Sequence, residues 1–543
     1  MKVVIVGGVA AGTKVAAKLK REDRSCEVII LTKSKDISYA GCGLPYYVGE
    51  VIPNRSQLIV NTPDSFSGLT GVKVQTEFEV TKVNPNEKTV EGTDLKTGKS
   101  DIFEYDKLVI ATGADAIKPP IDGVNKKNVY FMRTPDDAVS LRDAVEAGEI
   151  KRAVVVGGGF IGLEIAENLD LQGVRVTLVD MAPQILPGFD KELTDYATDH
   201  MIDKGIMIFT NTPLEAIIGE EKVEMVQAGG RKFKTDAVIL SVGVRPNTAF
   251  LADSGIELMP NRTIKVNEYL ETNIKDIYAV GDCAMVTNIL TKAPCWSPMG
   301  STANIAGRIV AKNIAGIEPN SEYKGVVGTA IVKLPELNAA RTGLTEADAA
   351  KAGYKPVSVI TVVDDKAHYY PDASNFIVKM IADKNTKKLL GLQVMGPGAV
   401  DKMVDIAVTA MTMGATLNDI ENMDLSYAPP FSTAIHPFTH TVNVLLNKLS
   451  GAFETITPVA YANGEAEDYK VIDASINPSI AGATYVDLAK VDGELPEYAK
   501  DEKLLLVCTK GKRAYMLQNR LKYFGYTDTL VLEGGATVSD IKI

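Results

Sequence analysis

Val3-Val4-Ile5-Val6-Gly7-Gly8-Val9-Ala10-Ala11-Gly12 decides how the rest of this chain is read, because it spells a strand, a tight turn and the start of a helix without interruption. Four apolar residues in a row predict a strand buried on both faces, as in a parallel sheet, and a helical pattern follows over residues 13–21. Such a turn sets backbone N–H groups and the positive end of a helix dipole against a pyrophosphate. Gly7, Val9, Ala10, Ala11 and Gly12 are therefore the expected contacts, with Val9 standing where the fingerprint has its middle glycine. The next strand, over 27–31, ends on Thr32 and Lys33 rather than the acid that usually holds the adenosine ribose, and Thr32 still offers a hydroxyl.

Working outward, the same grammar returns at Ala153-Val154-Val155-Val156 followed by Gly157-Gly158-Gly159-Phe160-Ile161-Gly162-Leu163-Glu164. A helix and a strand over 174–179 follow, and the strand closes on Asp180. An acid there accepts hydrogen bonds from a free ribose 2′-hydroxyl and repels a 2′-phosphate, which favours NADH and leaves NADPH open. Gly157, Gly159, Phe160, Ile161, Gly162 and Asp180 form the expected nicotinamide site, with Phe160 as a gate over the flavin ring. Two further strands end in glycine turns, Leu108-Val109-Ile110-Ala111-Thr112-Gly113 and Ile277-Tyr278-Ala279-Val280-Gly281-Asp282-Cys283. Ala111, Thr112 and Gly113 mark where the chain leaves the first nucleotide domain, while Gly243, Gly281 and Asp282 complete the cofactor set, Asp282 as acceptor for a ribityl hydroxyl.

A solitary cysteine sits in Ser38-Tyr39-Ala40-Gly41-Cys42-Gly43-Leu44-Pro45-Tyr46. Reductases that cycle two cysteines keep them a few residues apart on one helix. Here the nearest thiol in sequence is Cys26, read as lying on the outside of a helix-to-strand turn. A reactive Cys42 must then take its redox partner from the substrate, as a mixed disulfide, persulfide or sulfenic acid, with its pKa expected to be lowered by a helix N-terminus and a flavin. A buried structural cysteine is the alternative.

Composition narrows the class further. A chain of 543 residues exceeds one ordinary core, so several domains are expected. The net charge of −11 gives no electrostatic reason to bind nucleic acid or an anionic membrane. Five widely spaced cysteines form neither a disulfide framework nor a metal-ligand set, which points to a reducing compartment and no metal. The N-terminus enters the glycine turn with no basic leader or cleavage signal, and no apolar stretch is long enough to cross a bilayer, so a cytoplasmic location is expected.

The four nucleotide motifs together resemble the FAD- and NAD(P)H-dependent disulfide reductases over residues 1 to about 450. This resemblance implies an α/β protein with two Rossmann-like dinucleotide-binding domains of glutathione-reductase type. FAD binding falls over residues 1–113 and 245–325, NAD(P)H binding over 114–244, and an α+β dimerisation domain over 326–452, whose helices include 399–413 and 433–449. A homodimer is implied.

The Cys42 segment is similar to the single-cysteine branch, which holds NADH oxidase, NADH peroxidase, coenzyme A-disulfide reductase and the persulfide reductases. Oxidases and peroxidases of that branch typically carry a histidine in the first glycine turn, where this chain has Ala10. Instead, His368-Tyr369-Tyr370-Pro371 and Leu425-Ser426-Tyr427-Ala428-Pro429-Pro430-Phe431 look like the two tyrosine segments of coenzyme A-disulfide reductases. By that resemblance Tyr369 and Tyr427 reach the neighbouring subunit's active site, where a phenol assists S–S cleavage. Lys14, Lys18 and Arg21 share one face of the first helix and, with Ser38 and Cys42, make the expected coenzyme A site. Gly41 stands where the family commonly has Asn, and the family's lysine near Gly68 is absent.

Residues 453–468, rich in small, acidic and Pro/Gly residues, read as a linker. Beyond it, strands over 470–473, 503–507 and 529–532 and a helix over 514–524 surround Cys508-Thr509-Lys510-Gly511-Lys512-Arg513, and residues 469–543 resemble a rhodanese domain. A cysteine at a strand end, inside converging N–H groups and next to Lys510, Lys512 and Arg513, is expected to be biased toward thiolate and to hold a persulfide. Asp473-Ala474-Ser475 replaces the frequent Asp-Val-Arg, and Ser479-Ile480-Ala481-Gly482-Ala483 lacks the usual His-Ile-Pro.

The expected activity is flavin-dependent reduction of coenzyme A persulfide, polysulfide or coenzyme A disulfide by NADH through Cys42, with Cys508 carrying sulfane sulfur. The expected catalytic set is Cys42, Tyr369, Tyr427, Cys508 and Arg513, and the partner is a small thiol, persulfide or disulfide. An NADH oxidase or peroxidase and a non-catalytic sulfur or redox sensor are the alternatives.

Overall fold

The computed structural model describes residues 1–318 and 320–541. Pro319, inside the expected 245–325 segment, and residues 542–543, at the end of the expected 469–543 domain, lie outside the described residues. The chain divides into two compact units, Met1–Ile185 with Gly205–Val326, and Leu186–Lys204 with the chain from Val327 onward.

In the first unit the opening stretch forms the strand Lys2–Val6, whose Val3 and Ile5 are wholly buried. It pairs in parallel with Glu27–Leu31 on one side and Lys107–Ile110 on the other; Lys73–Gln75 and Ile277–Ala279 complete the sheet at either edge. Chain order therefore reverses on either side of Lys2–Val6, which opens a crevice at the carboxyl ends of the central strands. Gly7 lies there at φ +111°, and a Cβ on it would fall 2.1 Å from the Ala111 carbonyl oxygen. A Cβ on Gly12 would fall 1.9 Å from the Gly7 carbonyl oxygen, so helix Ala10–Glu22 enters directly against the turn.

The second nucleotide stretch repeats this construction. Strand Arg152–Val156 lies between Arg175–Val179 and Ala237–Leu240 in a parallel sheet edged by Met207–Phe209 and Val129–Tyr130. Gly157 has φ +109° with its Cβ direction 2.4 Å from the Ser241 carbonyl oxygen, the counterpart of Gly7. Each sheet is interrupted in sequence by a three-stranded antiparallel meander, Phe78–Asn84 to Ser100–Glu104 ahead of Lys107–Ile110 and Leu214–Ile218 to Arg231–Lys234 ahead of Ala237–Leu240. The chain leaves and re-enters the first domain through an antiparallel ribbon, Ala114–Ala116 with Val244–Pro246. There the Thr112 hydroxyl donates to the Asn247 carbonyl at 2.7 Å, and the Ile117 N–H donates to the Gly243 carbonyl at 3.0 Å.

The second unit holds a five-stranded antiparallel sheet ordered Ala330–Leu334, Leu337–Gly343, Leu389–Gly396, Asn375–Asp383, Pro356–Asp364. Helices Val400–Met413 and Pro437–Leu449 pack on it. Helix Lys191–Asp203 belongs here rather than to a continuous 114–244 domain. Lys379, 1 % exposed, explains why: its ammonium lies 2.9 Å from Glu192, 2.6 Å from Glu346 and 3.6 Å from Asp190, and removing either side would strand buried charge.

The C-terminal sheet is parallel and ordered Thr455–Ile456, Thr529–Leu532, Leu504–Val507, Lys470–Asp473, Thr484–Tyr485. Residues 453–468 are thus not a linker. They supply an edge strand and helix Pro458–Ala462, with Ile456 buried against Leu505, Val507 and Leu532. A two-residue strand in a polar stretch leaves no periodicity to read. This sheet is anchored on the neighbouring one through Glu533, whose fully buried carboxylate accepts from Lys448 and Thr455 at 2.6 Å and from the Ile360 N–H at 2.8 Å. No helix among the described residues is long and apolar enough to cross a membrane.

Candidate active site

Cys42 lies on the 3-10 turn Gly41–Gly43 that runs into the short helix Leu44–Val48, and the residue is exposed. Both helices of the inserted domain hold that segment. Tyr46 donates to Glu164 at 2.9 Å, Gln172 donates to the Gly49 carbonyl at 2.9 Å, and Arg142 donates to the Pro53 carbonyl at 3.0 Å. The first unit also contributes Asp282, which accepts from Arg133 at 3.0 Å while its carbonyl accepts the indole N–H of Trp296 at 2.8 Å. These charges act on the cysteine. Burial of the sulfur pushes the Cys42 thiol above its ordinary value, the Glu164 and Asp282 carboxylates add to this, and Arg133 opposes it. The lowered pKa expected from the sequence is therefore not a property of the polypeptide alone, because burial of the sulfur, with two acids, outweighs one guanidinium. Cys26, expected on the outside of its turn, is buried and donates to the Asp23 carboxylate, and burial with that acid pushes its thiol up to about 11.

The residues around the first glycine turn fit FAD. Their backbone is packed so tightly at Gly7 and Gly12 that only glycine is accommodated, and the Gly281 turn closes on the same helix, a Cβ there falling 3.0 Å from that of Ala11. Val9, Ala10 and Ala11 lead into the helix, and Asp282 follows at the neighbouring strand end. Thr32 is buried at the end of its strand, whereas Lys33 is drawn to Glu79 at 2.8 Å on the surface. At the second turn the Asp180 carboxylate accepts the Gly158 N–H at 2.5 Å and the Ala182 N–H at 2.8 Å, which orients it toward the turn. Phe160 opens helix Phe160–Leu171 after Gly159, and Ile161 is exposed beside it.

A cleft of about 420 Å³ is lined by Lys20, Arg21, Arg24, Asn61, Phe66 and Thr70, among others. Of the three cations read on the first helix only Arg21 lines it. The stem of Lys14 lies against Gly307, and Lys18 pairs with Glu22, its ammonium disfavoured by burial and by Arg308, Arg21 and Lys312. Asn61 also donates to the Ser38 hydroxyl at 3.4 Å, linking the cleft to the Cys42 segment. Lys20, Arg24, Asn61 and Arg133 were missed from the sequence, because helix phase and long-range packing decide them.

In the second unit Tyr369 and Tyr427, 58 residues apart in sequence, come together. Both are exposed, and the hydrogen bond to Tyr369 is the main cause holding the Tyr427 hydroxyl above its ordinary range. Cys508 is buried at the end of strand Leu504–Val507, just before helix Lys512–Tyr523. Its carbonyl accepts from Ala536 at 3.1 Å, and that of Thr509 from Thr537 at 3.0 Å. Of the three cations expected beside it, Lys510 and Arg513 are engaged with other groups. Lys510 donates to Asp364 and Asn375 at 2.7 Å each, and Arg513 donates to the Ala474 carbonyl at 2.9 Å with Asp487 3.8 Å away. Among the described residues no cluster of His, Cys, Asp and Glu is placed to hold a metal.

Two nucleotide folds, one inserted in the other, with a lone exposed cysteine on a turn between them define a flavin- and nicotinamide-dependent oxidoreductase. The chain belongs to the pyridine nucleotide-disulphide oxidoreductase family, matching it over residues 1–303 and its dimerisation domain over residues 329–438. Members use FAD and NAD(P)H. It is 33 % identical to the NADH oxidase of Methanocaldococcus jannaschii, over 83 % of this chain and 100 % of that protein. It is also 33 % identical to the NAD(P)H coenzyme A polysulfide/persulfide reductase of Pyrococcus horikoshii, over 82 % of this chain and 98 % of that one. The structure of an NAD-dependent persulfide reductase from A. fulgidus is similar with TM-score 0.94 and 33 % identity, covering 99 % of this chain and 100 % of that chain.

Proposed function

We propose that this protein reduces coenzyme A persulfide, polysulfide or coenzyme A disulfide with NADH, using Cys42 as its single redox thiol. The observation that carries the reading is the exposed Cys42 within electrostatic reach of Glu164, from the nicotinamide turn's helix, and of Asp282, at a strand end of the first nucleotide domain. Its thiolate attacks one sulfur of R–S–S–H; the Cys42–sulfur bond forms as the substrate S–S bond breaks, and hydrosulfide leaves, giving Cys42–S–S–R. FAD, when bound, supplies the two-electron transfer from the nicotinamide that returns this adduct to two thiolates. Arg133 offsets the carboxylates as negative charge grows on the Cys42 sulfur.

Tyr369 and Tyr427 of a second copy donate a proton to the departing sulfur; the phenol pair in the second unit and the family's dimerisation domain support this. The cations of the cleft, with Arg21 and Asn61, hold coenzyme A phosphates, and Ser38 lies on the way to Cys42. Asp180 selects NADH. The C-terminal domain is rhodanese-like and carries sulfane sulfur on Cys508, a reading supported by the full-length likeness to a persulfide reductase. Arg513 braces its loop through Ala474 rather than acting on sulfur.

The test is anaerobic oxidation of NADH by the holoenzyme with coenzyme A persulfide and, separately, coenzyme A disulfide. Turnover with either supports the reading. A second reading, NADH oxidase, is favoured by the M. jannaschii relative and predicts rapid oxygen consumption with no thiol substrate.

A further inference from the structure

We propose that Lys510 is a positioning residue that ties the Cys508 loop to the tyrosine-bearing loop over 365–374, so that the C-terminal domain sets the posture of Tyr369; this rests on the role given to Tyr369 above. Lys510 stands two residues from Cys508, yet its ammonium turns away from that loop and donates to Asp364 and Asn375 at 2.7 Å each. Asp364 ends strand Pro356–Asp364, Asn375 begins strand Asn375–Asp383, and the two are register partners. One ammonium thus pins both legs of the hairpin whose connection carries Tyr369.

Inside that connection the hold is local, apart from the hydrogen bond between Tyr369 and Tyr427. Asp365 and Ser374 bond each other across the neck, Tyr370 donates to the Ala367 carbonyl at 2.8 Å, Asp372 sits at φ +60°, and Tyr369 is 66 % exposed. The far side of the clamp is fixed. Thr509 is bound through its carbonyl to Thr537, Val538 packs with Ile360, Val362 and Ile377, and Glu533 holds the Ile360 N–H. Lys510 therefore transmits the placement of a rigidly seated domain to a loop with few restraints of its own. A half-exposed pair of this kind adds little to stability, so its loss leaves the fold in place.

The test compares holoenzyme variants K510M, K510R, N375A, Y369F and K510M/Y369F with coenzyme A disulfide as substrate. K510M is expected to lower kcat by about 3- to 30-fold. KM for NADH and the rate of flavin reduction by NADH should not move, N375A should reproduce the loss, and K510R should restore most of it. Amide exchange over 365–374 should quicken in K510M and not in K510R. In the Y369F background K510M should cost nothing more, since both act through one phenol. Full turnover in K510M and N375A beside an impaired Y369F, or an undiminished K510M cost in the Y369F background, overturns this inference alone. Full turnover in Y369F overturns the tyrosine reading and this inference with it.

Discussion

Cys42 and Cys508 are both unpaired thiols on turns that follow a nucleotide-style or parallel strand system, yet they are set up in opposite ways. Cys42 is exposed, on a turn gripped by helices from another domain, and its thiol is pushed up by burial of the sulfur and two carboxylates. Cys508 is buried at a strand end, its carbonyl braced by the 534–537 turn while nearby cations serve other partners. The contrast teaches that proximity in sequence to a thiol does not decide which partners Lys and Arg serve. Geometry decides which charge reaches the sulfur, and at Cys42 the deciding neighbours come from residues 133, 164 and 282.

The comparison breaks most visibly under substitution of the sulfurs. Cys42→Ser should lower NADH-driven reduction of coenzyme A disulfide by about a thousand-fold or more while NADH still bleaches the flavin. Cys508→Ser should keep that reduction and lose protein-bound sulfane sulfur, detected by cyanolysis. Equal loss of reduction in both variants would erase the proposed division of labour.

Next in size are the phenols. Tyr427→Phe should lower turnover of the disulfide by about 100-fold, with the deficit greatest for the poorest leaving thiol. A deficit independent of the leaving thiol would remove Tyr427 from proton donation.

The smallest effects sharpen the electrostatic side. In the absence of cofactors, alkylation of Cys42 by iodoacetamide should accelerate as pH rises through a midpoint above that of a free thiol, because the raised pKa keeps the thiol protonated at neutral pH. Glu164→Gln should move that midpoint down and Arg133→Gln should move it up. Opposite signs, read by mass spectrometry of the modified peptide, would show that Cys42 answers to other charges.

The two glycine turns were legible because both periodicity and sterics are local there: a buried strand must be apolar throughout, and Gly7 and Gly157 must be glycine where the next strand crosses. Cys42, Asp180 and Asp282 could be picked out because each lies at a strand end or in a compact motif, whereas the tyrosine segments were picked out only by their resemblance to those of coenzyme A-disulfide reductases. What stayed hidden depends on distant packing. Nothing in residues 191–203 announces that Glu192 meets Lys379, 187 residues later, and a helix face alone does not tell that Arg21 lines a cleft while Lys18 turns to Glu22. Arg133 lies in a short connection without pattern, yet its partner is Asp282.

The edge strand Thr455–Ile456 has a practical meaning for anyone wishing to study the C-terminal region in isolation. Begun at residue 469, such a fragment would bare the flank of Thr529–Leu532 with its unpaired N–H and C=O groups, take Ile456 out of its core and deprive Glu533 of Thr455. An exposed apolar flank of that kind templates aggregation, so an excised piece should start ahead of Glu454, and insolubility of a shorter one would say nothing about its chemistry.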